Sequence, residues 1–237
     1  MFAAATLALI LAGLTVWKLS RDNDAADLPI PTNTLPNTSS GQDLQGGSAE
    51  SIRRGNLLLN EGRVDEAIQS LQAALRAMPD DEDLHYNLGI ALARAGRTEE
   101  AVQAYTQALQ LFPNYVEAHN NLGNLLMRTG RLTEATEHFR AAIAVMPDYA
   151  SAHNNLGTAL RQQGDTNAAT GHFEQAVTLD PNYWQARYNL GLSYLAQDRL
   201  QEARVELEKV SASQPDFQPV REALQWLEKT DQGTSRP

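Results

Sequence analysis

Residues 116–149 read VEAHNNLGNLLMRTGRLTEATEHFRAAIAVMPDY, and residues 150–183 read ASAHNNLGTALRQQGDTNAATGHFEQAVTLDPNY. The two stretches align without a gap. Both carry Asn-Asn-Leu-Gly near the start, a Gly in the middle, a Phe with an Ala three residues later, and a Pro two residues before the closing Tyr. The period is 34 residues. A period of this length marks stacked units that cannot bury an apolar face alone. With Pro79, Pro113, Pro147, Pro181 and Pro215 as a fixed phase at position 32, five copies fall on 48–81, 82–115, 116–149, 150–183 and 184–217.

The other columns have physical reasons. Position 8 is Gly55, Gly89, Gly123, Gly157 and Gly191, and position 20 is Ala67, Ala101, Ala135, Ala169 and Ala203. Small residues there let two helices of one copy approach closely. Position 24 is Leu71, Tyr105, Phe139, Phe173 and Leu207, large side chains expected to fill the gap between neighbouring copies. Position 15 is Gly62, Gly96, Gly130 and Gly164, then Asp198. A residue there ends the first helix in a left-handed cap, which costs Gly no Cβ clash and Asp less than most residues. The proline ends the second helix, because it has no N–H and pushes its predecessor out of the helical region.

These columns resemble the tetratricopeptide repeat (TPR) family pattern: Leu-Gly at 7–8, a large residue at 11, Ala at 20, an aromatic at 24, Ala at 27 and Pro at 32. Leu88-Gly89, Leu122-Gly123, Leu156-Gly157 and Leu190-Gly191 supply the pair. The departures are position 4, where the family often has Trp and this chain has Ser51, His85, His119, His153 and Arg187, and Arg54 in place of Leu in the first copy. The resemblance implies an all-α fold, a right-handed α-solenoid of five helix pairs whose first helices line a concave groove. It implies a protein that holds another protein.

Outside the repeats, Phe2 to Trp17 carry no charge. Sixteen helical residues span about 24 Å against a hydrocarbon core of about 30 Å. Residues 1–21 are expected to be an N-terminal membrane anchor entering the bilayer through residues 2–17. A cleaved signal peptide and a soluble apolar helix are the alternatives; no basic side chain precedes the apolar run, which disfavours the signal. Lys18 and Arg21 after the span lean the repeats toward the cytoplasm, with an extracytoplasmic placement left open. Residues 22–47, with three prolines and many small polar residues, are expected to be a flexible linker. Residues 218–229 place Val220, Ala223, Leu224 and Leu227 at helical spacing and read as a capping helix. Residues 230–237 read as a disordered tail.

The chain has no cysteine and a net charge of −10. Disulfides and Cys-ligated metals are thereby excluded, and the charge repels a phosphate backbone. Neither nucleic acid nor a small-molecule substrate is expected as a partner.

Positions 2, 5, 6, 9, 12 and 13 of the first helices are expected to face the groove. Position 6 is Arg53, Asn87, Asn121, Asn155 and Asn189. Position 5 adds Tyr86, Asn120, Asn154 and Tyr188; position 9 adds Asn124; positions 12 and 13 add Arg94, Arg128 and Arg161. Asn is a mediocre helix former, so a column of it inside helices asks for a cause. Its amide has the donor and the acceptor needed to grip a peptide bond. The column is similar to the asparagine ladder in the TPR region of O-linked N-acetylglucosamine transferases. That resemblance implies an extended peptide held by its backbone, and the arginines favour an acidic segment. The competing reading is that Asn at position 6 only packs or solvates the groove. The carboxylate clamp known in other TPR domains is incomplete, because Asn120, Gln185 and Asn189 stand in its cationic slots.

No cofactor or metal is expected. His85, His119 and His153 sit one copy apart, too far to share a zinc ion. The acidic residues cluster at helix starts, where negative charge is favourable without catalysis. No nucleophile elbow, P-loop or dinucleotide motif is present, and the repeats leave no room for a transferase domain. The expected function is a non-catalytic, membrane-tethered scaffold or adaptor. The alternative is a structural assembly protein that oligomerises or lines a complex through its convex face or ends.

Overall fold

The computed structural model describes residues 45–231. The expected anchor at residues 2–17 and nearly all of the linker lie outside them. Among the described residues no helix is long and apolar enough to cross a membrane. Residues 45–131 belong to one compact unit and residues 132–231 to another. The first unit holds α1 (Gln45–Asn60), α2 (Val64–Ala77), α3 (Glu82–Arg94), α4 (Thr98–Leu111) and α5 (Val116–Arg128). The second holds α6 (Leu132–Val145), α7 (Ala150–Gln162), α8 (Thr166–Leu179), α9 (Trp184–Ala196), α10 (Leu200–Ser213) and α11 (Gln218–Asp231). The first helix begins inside the stretch read as linker, and the last runs past the expected end of the cap at 229.

Each first helix stops at position 15. Gly62, Gly96, Gly130 and Gly164 have φ of 75°, 73°, 79° and 92°, and Asp198 has 59°. The next residue's N–H reaches back to a helical carbonyl, as in Arg63 to Leu58 at 2.8 Å, Arg97 to Leu92 at 2.9 Å and Asp165 to Leu160 at 3.0 Å. This pattern satisfies carbonyls that the helix end leaves open. The second helix then starts, with Arg63, Arg97 and Arg199 paired to Glu66, Glu100 and Glu202 three residues on. Those guanidinium groups hold the carboxyls below their ordinary range. The pairs are exposed and contribute little stability.

The core forms where the two helices of one copy meet. A Cβ on Gly89 would lie 2.7 Å from the Tyr105 ring, and one on Gly191 would lie 2.9 Å from Leu207. On Gly157 it would lie 2.8 Å from the Phe173 ring and 3.0 Å from the Ala169 carbonyl oxygen. The large residue at position 24 therefore sits on the glycine of its own copy, and Tyr105 also meets Asn121 of the next copy. Tyr105, Phe139 and Phe173 are fully buried. Full burial of such a ring stabilises by roughly 1.5–3 kcal/mol.

Position 4 explains its own departure from Trp. Nε2 of His85, His119 and His153 lies 2.8, 3.0 and 3.0 Å from the carbonyls of Pro79, Pro113 and Pro147. In the last copy Nε of Arg187 donates to Pro181 at 2.8 Å. In copies two to five an N–H from the first helix thus satisfies the carbonyl left open at the preceding proline.

Position 4 also meets position 23. Nδ1 of His153 lies 3.2 Å from Nδ1 of His172. Because His153 donates from Nε2, its Nδ1 accepts and His172 donates. Distances within one column of histidines could not reveal this contact across two columns. Among the described residues no group of three or more His, Asp or Glu could hold a metal. In the fifth copy the same two positions carry Arg187 and Glu206, an ion pair.

Candidate partner-binding face

The first helices of each unit lie beside one another, and position 6 is where they are tied. In the first unit Asn121 Nδ2 donates to the Tyr86 hydroxyl at 3.0 Å. In the second, Asn189 Nδ2 donates to Asn154 Oδ1 at 2.9 Å. Each bond runs from position 6 of one copy to position 5 of the copy before. The asparagine column therefore has an internal role, since its amides bridge adjacent first helices.

The two units dress this bridge differently. In the first, Tyr86 is buried and its ring stacks at 4.8 Å from Tyr115 and 5.9 Å from Tyr105. Tyr115 donates its hydroxyl to Asp83 at 2.7 Å. Burial pushes the Asp83 carboxyl above its ordinary range, against the pull of that hydrogen bond. Asn121 and Asn87 are buried; Asn87 donates to the Asp83 carbonyl at 2.7 Å, and its Oδ1 has no partner among the described residues. Asn120 is buried, and Asn124 and Arg128 are half-buried. Arg94 is half-buried, and burial lowers its pKa. Arg53 is not drawn into this group: it is exposed and paired with Glu50.

In the second unit Asn154, Asn155, Asn189, Arg161 and Tyr188 come together. Asn154 is buried and donates at 3.3 Å to both Asn155 and the Tyr183 hydroxyl. Asn155 and Asn189 are half-buried. Arg161 donates to Asn189 Oδ1 at 3.1 Å, and its guanidinium lies 5.4 Å from the centre of the Phe173 ring. Burial lowers the Arg161 pKa, with Tyr188 opposing weakly. Burial also pushes Tyr188 up to about 12. Its ring meets Phe217 at 5.1 Å, and so does that of Trp184.

One column escaped the sequence reading. Position 34 is Tyr115, Tyr149, Tyr183 and Phe217 after the first copy. Tyr115, Tyr183 and Phe217 each cover position 5 of their own copy: Tyr86, Asn154 and Tyr188. The signal was the recurring Pro-Asn-Tyr, Pro-Asp-Tyr and Pro-Asp-Phe at the ends of copies two to five.

Helix pairs of fixed length, each closed by a left-handed cap and a proline turn, define a helical-repeat protein. Three sequence models of the tetratricopeptide repeat match residues 52–116, 115–182 and 160–227. The chain belongs to the tetratricopeptide repeat family. Among solved structures it is similar to MamA 41-end from Desulfovibrio magneticus RS-1, at 27% identity and a TM-score of 0.64, covering 74% of this chain and 99% of that one. It is similar to a tetratricopeptide repeat protein from Parabacteroides merdae ATCC 43184, at 20% identity and a TM-score of 0.67, covering 80% and 75%. It also resembles YrrB, a TPR protein with an unusual peptide-binding site, at 20% identity and a TM-score of 0.62, covering 78% and 98%. A comparison with curated proteins finds no match.

Proposed function

We propose that this chain is a non-catalytic scaffold, tethered to a membrane through residues 2–17, that holds an extended segment of a partner protein along the faces of its first helices. The observation that carries the reading is the row of half-buried amides and aromatic rings beside Asn155 and Asn189, which offers donors and acceptors to a peptide backbone. YrrB, with its peptide-binding site, supports the same use of the fold. A photo-crosslinking residue placed at Asn155 or Asn124 in the full chain is expected to capture a partner. The same group at Gln175, exposed on the second helix of its copy, is the control. Equal capture from both sites sinks the groove reading. Resistance of the full chain to alkaline extraction from membranes, lost on deleting residues 2–17, tests the tether.

A second reading, assembly through the ends, is favoured by Leu57. Its counterparts Ala91, Leu125, Ala159 and Ser193 are buried, but Leu57 is 58% exposed. Crosslinks from Leu57 to another copy of the chain, with none from Asn155 to any other protein, favour that reading instead.

A further inference from the structure

Position 12 of the first helices is an apolar column with one exception. It carries Leu59, Ala93, Met127 and Leu195, and the first, second and fourth of these are buried. In the fourth copy it carries Arg161. Arg161 is half-buried there, and a guanidinium partly withdrawn from water is costly unless an anion compensates it. Its neighbours are neutral: the Asn189 amide oxygen at 3.1 Å and the Phe173 face at 5.4 Å. Among the described residues no carboxylate pairs with it, although the chain has 29 acidic residues. One hydrogen bond to Asn189 leaves a fork of further donors. Amides and phenols that can hold a peptide main chain stand beside it: Asn154, Asn155, Tyr183 and Tyr188.

We infer that Arg161, with Asn189, forms the specificity subsite of the groove, and that it receives the side-chain carboxylate of an Asp or Glu within an extended peptide. This rests on the groove reading above and deepens it. The incoming carboxylate supplies the counter-charge that the fold omits, in the paired geometry that guanidinium and carboxylate share. The acceptor Asn189 orients the guanidinium without neutralising it, so the site is poised and still without a counter-charge.

Selection of linear peptides from a random display library, with both peptide ends blocked, against the full-length protein tests this. The wild type is expected to enrich peptides with an acidic residue at a fixed place. Arg161→Met, which installs the residue that the third copy carries at this position, is expected to lose that preference while keeping its helical signal. A selected peptide with its acid changed to the amide should bind roughly 10- to 100-fold more weakly to wild type and about equally to the variant. Asn189→Asp, which places a carboxylate on Arg161 from within at the cost of the donor to Asn154, is expected to erase the acidic preference. Enriched peptides without an acid, or with the acid enriched equally by Arg161→Met, overturn this inference and leave the groove intact. Enrichment only when the peptide C-terminus is free overturns the side-chain assignment. No enrichment by either protein overturns the groove reading and this inference with it.

Discussion

In residues 45–131 the first helices enclose an acid, Asp83, under the hydroxyl of Tyr115; in residues 132–231 they hold a base, Arg161, against the amide of Asn189. Asp83 stands at position 2 and Arg161 at position 12, but both units keep the same bond from position 6 to position 5. The acid has a strong donor at 2.7 Å from within its own copy. The base has only a neutral acceptor and a ring. A repeat protein can thus keep its scaffold columns constant and place different chemistry on each stretch of its inner face. Contact residues are free to vary where they do not hold two copies together.

The second, fourth and fifth copies share one tight scaffold contact that the first copy lacks. Gly157→Ala should therefore cost the most, about 2–3 kcal/mol in denaturant unfolding, because the Ala169 carbonyl cannot retreat as a side chain can. Gly55→Ala should be nearly neutral. Its Cβ would stand 3.2 Å from the end of Leu71, and the gain in helix propensity of about 1 kcal/mol offsets the crowding. Equal losses at both sites would break the distinction between end and inner copies.

Next in size is the bridge itself. Asn121→Ala buries the Tyr86 hydroxyl without its donor and should cost about 1–2 kcal/mol. Asn189→Ala opens a half-buried site to water and should cost less. A double-mutant cycle of Tyr86→Phe with Asn121→Ala should return a coupling of about 1 kcal/mol, and additivity would remove the bridge from the account.

Gly171 sits exposed inside α8 with nothing within 4 Å of an added Cβ. Gly171→Ala should stabilise the second unit by about 0.5–1 kcal/mol, read as a higher melting temperature.

The smallest effect is in pH. Burial, His153 and Arg140 hold the His172 pKa below its ordinary 6.5, and burial lowers His119 against the Pro113 hydrogen bond. Unfolding therefore takes up protons at these groups, so stability falls as pH drops through about 6.5 toward the folded values. His172→Asn should lessen the fall in melting temperature between pH 7 and 5; an unchanged slope would acquit the pair.

Much of the fold could be read from the chain because its causes are local. A glycine with positive φ, a proline stop and a small residue under a large one each announce themselves within one period. The family and the helix pairs followed from them. The candidate site was less legible. What Asn121 does depends on Tyr86, and what Asn189 does depends on Asn154, partners in another copy whose contact no single column displays. The aromatic column at position 34 was present in the letters, but its meaning needed position 5 beneath it. Arg161 could be named as a cation from sequence; its lack of a carboxylate partner could not.

The bond from the first helices of copies two to five to the preceding prolyl carbonyl has a further consequence. It makes the joint, along with the helix pair, something that the 34-residue period preserves. Duplicating or excising any whole period regenerates the same joint, whichever residue the cut begins on. Such a lineage can lengthen or shorten its array by copying errors alone, with no new interface to invent.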